Sequence, residues 1–215
     1  MQSWIRLGAG IYAADQAREG FVKIDGYTFQ GPVVQLTGGV FGGSALRFEG
    51  MEGAAAVEEG MTEGWLSFTD GEFPEIKLTT VLQAKPGCAQ LRHVISGEGQ
   101  ERLPAGSALT LAALLLPQAP RLYALEQGAA LPLPEEEGIL PHRVLGLETP
   151  AGAILLAGGD FFAAANDGEG FCLAMVTRLE EDVALGEQSA FSTGWVRMAM
   201  ADTLQAALAG AAWAR

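Results

Sequence analysis

Two tryptophans carry the clearest chemical signal in this sequence. In the strand predicted from Ala190 to Met200, every second residue near the end is apolar. The residues between them are polar or aromatic and are Thr193, Trp195 and Arg197. Because strand side chains alternate between the two faces of a sheet, these three are expected to point outward together. Trp65 is placed in the same way, beside Ser67 and between the apolar Leu66 and Phe68.

Aromatic rings beside arginine and threonine suit one kind of ligand in particular. A tryptophan ring can stack on the apolar face of a sugar ring while the polar neighbours bind its hydroxyl groups. The sequence therefore predicts a ligand-binding face formed by Trp195, Arg197, Thr193 and Trp65. The alternative is that either tryptophan packs beneath a second sheet or beneath the C-terminal helix.

Acid–base chemistry has weaker support. There is no G-x-S-x-G elbow, no P-loop and no H-E-x-x-H motif. The candidate acids and bases are Asp160, Glu148 and His142, whereas His93 lies on an apolar strand face and is predicted to be a hydrogen-bonded core residue. Two histidines in these positions do not make a zinc site. Asp-Gly turns at Asp70 and Asp167 are typical of hairpins rather than of calcium loops, so no metal or cofactor is predicted.

Composition narrows the range of partners. The 215 residues carry 26 acidic and 13 basic side chains, for a net charge of −13. The whole excess falls in two segments, from Arg47 to Glu75 and from Asp160 to Glu187, and the rest of the chain is balanced. Such a surface repels phosphate, so nucleic acid and anionic membranes are not expected as partners, whereas a carbohydrate or a protein is.

The two cysteines and the N-terminus bear on location. Cys88 and Cys172 are far apart in the sequence and lack metal-ligand spacing. They are predicted to be reduced core residues, and the alternative is one disulfide between them. No basic region followed by a long apolar stretch opens the chain, so no signal peptide is predicted. The default expectation is the cytoplasm, or a secreted or particle-associated protein if a leader has been removed.

The elements that must position these residues are mostly strands. The apolar runs on both sides of Thr149-Pro150-Ala151-Gly152 predict a hairpin in the middle of a sheet, because both arms are apolar at successive positions. A second hairpin turns at Pro86-Gly87, with alternating faces in both arms. A helix is predicted from Thr203 to Ala212, capped by Asp202. The fold class is therefore all-β: an antiparallel β-sandwich over residues 1–201, with a C-terminal α-helix in residues 202–215 that docks on it or leads to a partner.

The second hairpin and the last strand also resemble a known class. The stretch from Pro74 to Met200, with P-E-I-K-L-T-T-V-L-Q-A-K-P-G-C-A-Q-L-R-H-V-I and L-G-E-Q-S-A-F-S-T-G-W-V-R-M, resembles the β-supersandwich domains of the galactose-mutarotase-like class. These domains also occur at the N-terminus of several glycoside hydrolases. The epimerases of the class use a histidine in an Asn-His context with a glutamate base. Neither His93 nor His142 stands in that context, so the resemblance implies no catalytic residue here.

A shorter resemblance competes with it. The segment Gly39 to Gly50, G-V-F-G-G-S-A-L-R-F-E-G, is similar to the early strand of concanavalin-like and laminin-G-like jelly rolls. Both resemblances imply an antiparallel sandwich and differ in topology. The predicted function is a carbohydrate-recognition or accessory domain without catalysis of its own. The alternatives are a structural or assembly protein that forms homo-oligomers or part of a larger particle, and a sugar-active enzyme.

Overall fold

The computed structural model describes residues 4–8, 10–14, 22–36, 45–46, 48–98, 101–126, 129–134, 137–166, 170–186 and 189–211. In chain order the strands are β1 (Trp4–Gly8), β2 (Ile11–Ala14), β3 (Val22–Ile24), β4 (Tyr27–Gln30), β5 (Val33–Gln35), β6 (Ala45–Leu46), β7 (Phe48–Glu58), β8 (Met61–Asp70), β9 (Lys77–Lys85), β10 (Cys88–Ser96), β11 (Glu101–Leu103), β12 (Ala108–Leu116), β13 (Arg121–Glu126), β14 (Ala129–Pro132), β15 (Gly138–Leu140), β16 (Val144–Thr149), β17 (Gly152–Ala157), β18 (Phe161–Asn166), β19 (Phe171–Arg178), β20 (Val183–Leu185), β21 (Phe191–Ser192) and β22 (Val196–Ala201). A single short helix, α1 (Leu204–Gly210), follows them in the described part of the chain.

Two antiparallel sheets of ten strands each contain nearly all of these strands. The first sheet has the order β1-β2-β3-β4-β12-β19-β18-β15, with β5 beside β12 and β6 beside β5. The second has the order β14-β13-β16-β17-β22-β10-β9-β8-β7, with β21 beside β10. Strands β11 and β20 form a separate pair. The predicted all-β antiparallel sandwich with a C-terminal helix is confirmed.

One large apolar core lies between the two sheets. Alternate residues of each strand face it, so that β9 contributes Leu78 and Leu82 while β10 contributes Leu91 and Ile95. The same alternation leaves the other residues of these strands on the outer face of the second sheet. That outer face carries the candidate site.

The hairpin predicted around Thr149 lies in the middle of the second sheet, as expected. It consists of β16 and β17, with β13 on one side and β22 on the other. Its inner face packs into the core, and its outer face is covered by α1, where Ala207 and Ala211 pack with Leu155 and Ala199. Covering on both faces explains why its arms are apolar at successive positions.

Three details of the sequence-based description are wrong or incomplete. The N-cap of α1 is Thr203 rather than Asp202, because the Thr203 hydroxyl accepts a hydrogen bond from the Ala206 N–H at 3.2 Å. The long strand β7 was not predicted, since its glycines and alanines carry no alternating pattern. The predicted last strand is split into β21 and β22. The segment that resembles a jelly roll lies largely outside the described residues.

Cys88 and Cys172 form no disulfide, as one of the two alternatives predicts, but both are half-buried rather than core residues. Cys88 begins β10 in the second sheet, and Cys172 lies in β19 in the first. No helix in the described ranges is long and apolar enough to cross a membrane.

Candidate functional site

Side chains from four neighbouring strands form two rows across the outer face of the second sheet. In the first row Gln83 lies opposite Glu63 on one side and Gln90 on the other, and Gln90 lies opposite Arg197. Strand spacing makes this row about 14 Å long. The Gln90 amide donates to Gln83 Oε1, and the Gln83 amide donates to Glu63 Oε1 at 3.0 Å. The row therefore ends in a carboxylate at β8 and in a guanidinium at β22.

The second row runs parallel to the first and is partly aromatic. Trp65 lies opposite Val81, and Val81 lies opposite Arg92. Beyond Arg92 stands Trp195, whose ring centroid is 5.1 Å from the Arg92 Cζ atom. The two rows are two residues apart along each strand, which is about 7 Å. We call Glu63, Gln83, Gln90, Arg197, Trp65, Arg92 and Trp195 together the cross-strand platform.

Trp65 is the open aromatic surface of the platform. Its side chain is 44% exposed, while Leu66 and Phe68 on the other face are buried, as predicted. The ring borders a shallow depression that is also lined by Ala54 and Ala56 of β7. Small side chains on the neighbouring strand leave the indole ring accessible to a ligand from above.

Trp195 is placed differently from the prediction. It lies just before β22 rather than within a continuous strand, and it is half-buried. One face of its ring is contacted by the Arg92 guanidinium in a cation–π arrangement. Trp195 thus holds Arg92 in place and offers less free ring surface than Trp65 does.

Thr193 does not face outward, so this part of the prediction is wrong. Ser192 lies opposite Val94 and Val196 opposite Leu91, so that three residues, 193–195, stand opposite two of β10. The extra residue is a bulge that shifts the alternation by one position. The Thr193 side chain therefore points inward, with 8% exposure, and its hydroxyl accepts a hydrogen bond from the backbone N–H of His93 at 3.0 Å. Arg197 lies beyond the bulge and keeps its outward position.

The three candidate acids and bases do not come together. His142 and Asp160 lie near the open end of the β16–β17 hairpin, whereas Glu148 lies near its turn. Val144 and Glu148 are four positions apart along the strand, which is about 13 Å. Asp160 accepts the Arg178 N–H at 3.1 Å and stands 3.8 Å from the Arg143 guanidinium. These contacts indicate a structural role for the Asp160 carboxylate.

Glu148 belongs to a separate polar groove. The Tyr123 hydroxyl donates to its carboxylate at 2.7 Å, and Arg121 and Asp202 line the same edge of the sheet. The hydrogen bond to Glu148 raises the pKa of Tyr123 because it stabilises the protonated phenol. The pair is a tyrosine that keeps its proton beside a carboxylate, with no histidine among the groove's lining residues.

His93 is the buried core histidine that its strand position predicted. Its Nε2 atom donates to the Leu111 carbonyl at 2.6 Å, so the neutral ring accepts the Thr80 hydroxyl at Nδ1 over 2.8 Å. The Leu111 carbonyl is available because the pairing of β12 shifts between Thr110 and Ala112. Burial lowers the pKa of His93 to about 4. No group of three or more metal-ligating side chains occurs within the described ranges.

Neither a protein-family model nor a curated protein sequence matches the chain. Solved structures do. The chain matches a putative aldose 1-epimerase from Escherichia coli K12 with a TM-score of 0.58 and 10% identity, over 94% of this chain and 99% of that one. The chain has the galactose-mutarotase-like β-supersandwich fold. The resemblance from Pro74 to Met200 is therefore confirmed at the level of fold.

Two glycoside hydrolases share the supersandwich. The GH36 α-galactosidase AgaA from Geobacillus stearothermophilus matches with a TM-score of 0.58 and 13% identity, over 94% of this chain and 41% of that one. For AgaB of the same organism the TM-score is 0.53 and the identity 14%, over 80% of this chain and 30% of that one. The chain thus spans less than half the length of these α-galactosidases.

Sequence reasoning found only part of the platform. It identified Trp65, Trp195 and Arg197, and it predicted alternating faces in both arms of the Pro86-Gly87 hairpin without assigning any residue of these arms to the site. The Pro86-Gly87 turn fixes the register of β9 and β10, so the contact between Gln83 and Gln90 could have been predicted from the sequence. The place of Glu63 depends on how β8 pairs with β9 across a longer loop, which the sequence does not specify.

Proposed function

We propose that this chain is a carbohydrate-recognition domain without catalysis of its own, and that the cross-strand platform is its binding face. The observation that carries the proposal is the parallel arrangement of an aromatic row and a hydrogen-bonding row on one open sheet face. An exposed indole can stack on the C–H face of a pyranose, and the second row supplies donors and acceptors at the distance of its hydroxyl groups.

The polar row suits hydroxyl groups in particular. Carboxylate, amide and guanidinium groups alternate along it, so that acceptors lie at the Glu63 end and donors at the Arg197 end. The amides are already hydrogen-bonded to one another and therefore keep their orientation before a ligand arrives. Such preorganisation lowers the entropic cost of binding.

The structural matches support a sugar ligand without identifying it. They include proteins named as an aldose epimerase and as α-galactosidases. The separation of Glu148 from Asp160 and His142 gives no single acid–base site, so we assign recognition rather than turnover. In this proposal the chain serves as an accessory domain of a sugar-processing protein or assembly.

The test combines a glycan array with titration calorimetry. We expect the purified chain to bind at least one oligosaccharide, and Trp65→Ala to weaken that binding about tenfold, which corresponds to a stacking contribution of 1 to 1.5 kcal/mol. Phe73→Ala is the matched control, because Phe73 is 42% exposed and lies in the β8–β9 loop away from the platform. An array without a bound glycan, or equal losses for both variants, would contradict the proposal.

A further inference from the structure

Two arginines stand at one end of the cross-strand platform. Arg197 lies opposite Gln90, and Arg92 lies two residues further along β10 on the same face. Their Cα atoms are therefore diagonal cross-strand neighbours, about 7 to 8 Å apart. Guanidinium groups at this separation can approach one small ligand group together.

Among the residues that the structure describes, no carboxylate neutralises the charge of this pair. Lys77 pairs with Glu98 and Arg143 with Asp160, whereas neither Arg92 nor Arg197 has a carboxylate of a described residue within salt-bridge distance. The acid of the platform, Glu63, lies at the other end of the row, three strands and about 14 Å from Arg197. The arrangement is unusual for a protein that carries a net charge of −13.

Arg92 is also held in a fixed orientation. Its guanidinium stacks on the Trp195 ring, and this contact limits the directions in which the terminal nitrogens can donate. A carboxylate matches the planar fork of a guanidinium better than a hydroxyl group does.

Resting on the proposed function, we infer that the ligand is an acidic oligosaccharide, and that the carboxylate of a uronic acid binds between Arg92 and Arg197. Trp65 lies two strands from Arg92, about 10 Å, which is longer than one pyranose ring. The stacked ring and the charged ring are therefore different sugars of one chain. Trp195 is a positioning residue that acts through Arg92.

The experiment compares trimers of galacturonic acid and of glucuronic acid with their methyl esters, which keep the shape and remove the charge. We expect at least one acid trimer to bind about tenfold more tightly than its ester, as a charge-assisted hydrogen bond allows. This preference should shrink at high salt. Arg92→Gln and Arg197→Gln should each remove the preference for the acid, so that acid and ester bind with equal affinity.

Control variants separate charge from fold. Arg143→Gln removes an arginine that is 78% exposed and outside the platform, and it should leave the preference unchanged. Arg92→Lys keeps the charge and loses the planar fork, so it should give an intermediate preference if Arg92→Gln proves unstable. Trp65→Ala should weaken acid and ester equally, because it removes the stacking surface alone.

The outcomes distinguish the two proposals. Equal affinity for acid and ester, or binding confined to neutral glycans, would overturn the acidic ligand and leave the recognition function standing. Absence of binding to every acidic and neutral glycan would overturn both. A preference for the acid that persists in the Arg92→Gln and Arg197→Gln variants would show that the charge is recognised elsewhere.

Discussion

Burial fixes the charge state of His93. The ring donates from Nε2 to the Leu111 carbonyl and accepts the Thr80 hydroxyl at Nδ1, so both nitrogens are satisfied only in the neutral form. Protonation would make both ring nitrogens donors. The Thr80 hydroxyl could then no longer donate to Nδ1 and would have to accept from it. Desolvation by burial is the main cause that lowers the pKa of His93 from 6.5 to about 4, and the hydrogen bond to the Leu111 carbonyl offsets part of this effect.

This shift predicts a pH dependence of stability. In the unfolded chain His93 takes up a proton below pH 6.5, whereas the folded chain takes it up only near pH 4. The free energy of unfolding should therefore be fully present above pH 6.5 and fall as the pH decreases toward 4, by about 3 kcal/mol for this group. Chemical denaturation at several pH values measures it.

The control is His93→Gln, which keeps a donor and an acceptor and cannot titrate. The difference in unfolding free energy between the two proteins should shrink as the pH falls from 6.5 to 4. A constant difference over that range would show that His93 is not the neutral, buried group described above.

The bulge at residues 193–195 changes what is expected for Trp195. A fully buried tryptophan costs roughly 3 to 5 kcal/mol when truncated to alanine, and a surface residue costs less than about 1. Trp195 is half-buried against Arg92. We expect Trp195→Ala to cost about 2 kcal/mol in a denaturant melt and Trp65→Ala to cost less than about 1. A larger cost for Trp65 than for Trp195 would contradict the assignment of the open and the positioning ring.

At the scale of elements, the start of α1 provides a direct comparison of two capping residues. Thr203 has the extended backbone of an N-cap, with φ −135° and ψ 154°, and its hydroxyl binds the Ala206 N–H. Thr203→Ala should therefore cost about 1 kcal/mol of unfolding free energy, and Asp202→Ala close to none. Thermal melts of the two variants measure the difference. A larger loss of stability for Asp202→Ala than for Thr203→Ala would show that Asp202 is the N-cap.

Alternation of polar and apolar residues correctly predicted the strands and their faces where a strand contains no bulge. Strands β9 and β10 alternate over nine residues each, and their buried and outward faces are as predicted. The prediction failed where alternation fails. The bulge between β21 and β22 reverses the face of Thr193 relative to the predicted strand. In the sequence S-T-G-W only Gly194 indicates that such a bulge could occur. Strand β7 was missed because glycine and alanine give no apolar period.

The platform depends on pairing between elements, which the sequence specifies only in part. A tight turn fixes the register of β9 with β10, and this register alone aligns Gln83 with Gln90. Joining Arg197 and Glu63 to the same row needs two further pairings between strands that are distant in sequence or separated by a longer loop. Such pairings follow from the packing of the whole core rather than from local patterns.

At the scale of the whole molecule, β7 is a free edge of the second sheet in the described part of the chain. Residues 52–60 are all exposed, and the side chains between Glu52 and Glu58 are small or apolar. The turn at Glu59-Gly60, with both φ values positive, joins β7 to β8 as a two-residue hairpin. By the alternation of hydrogen-bonded pairs, Gly53, Ala55 and Val57 direct their backbone polar groups to the free edge.

An exposed edge of this length is a template for pairing with a second copy. In an antiparallel two-fold pair centred on Ala55, which gives the longest overlap of residues 52–58, Glu52 of each copy would lie opposite Glu58 of the other. Like charges in directly opposed positions destabilise a strand pair. We therefore expect these glutamates to oppose assembly through β7, in addition to the repulsion from the net charge of −13.

The last prediction tests this edge with two double variants of equal charge. Glu52→Gln with Glu58→Gln removes the opposed charges, and Glu180→Gln with Glu181→Gln removes two exposed charges elsewhere. Sedimentation velocity at increasing concentration should show stronger self-association for the first variant than for the second, because only the first relieves the local repulsion. Equal association of the two would assign the effect to net charge. If neither variant associates more than the unchanged chain, these glutamates do not protect the β7 edge.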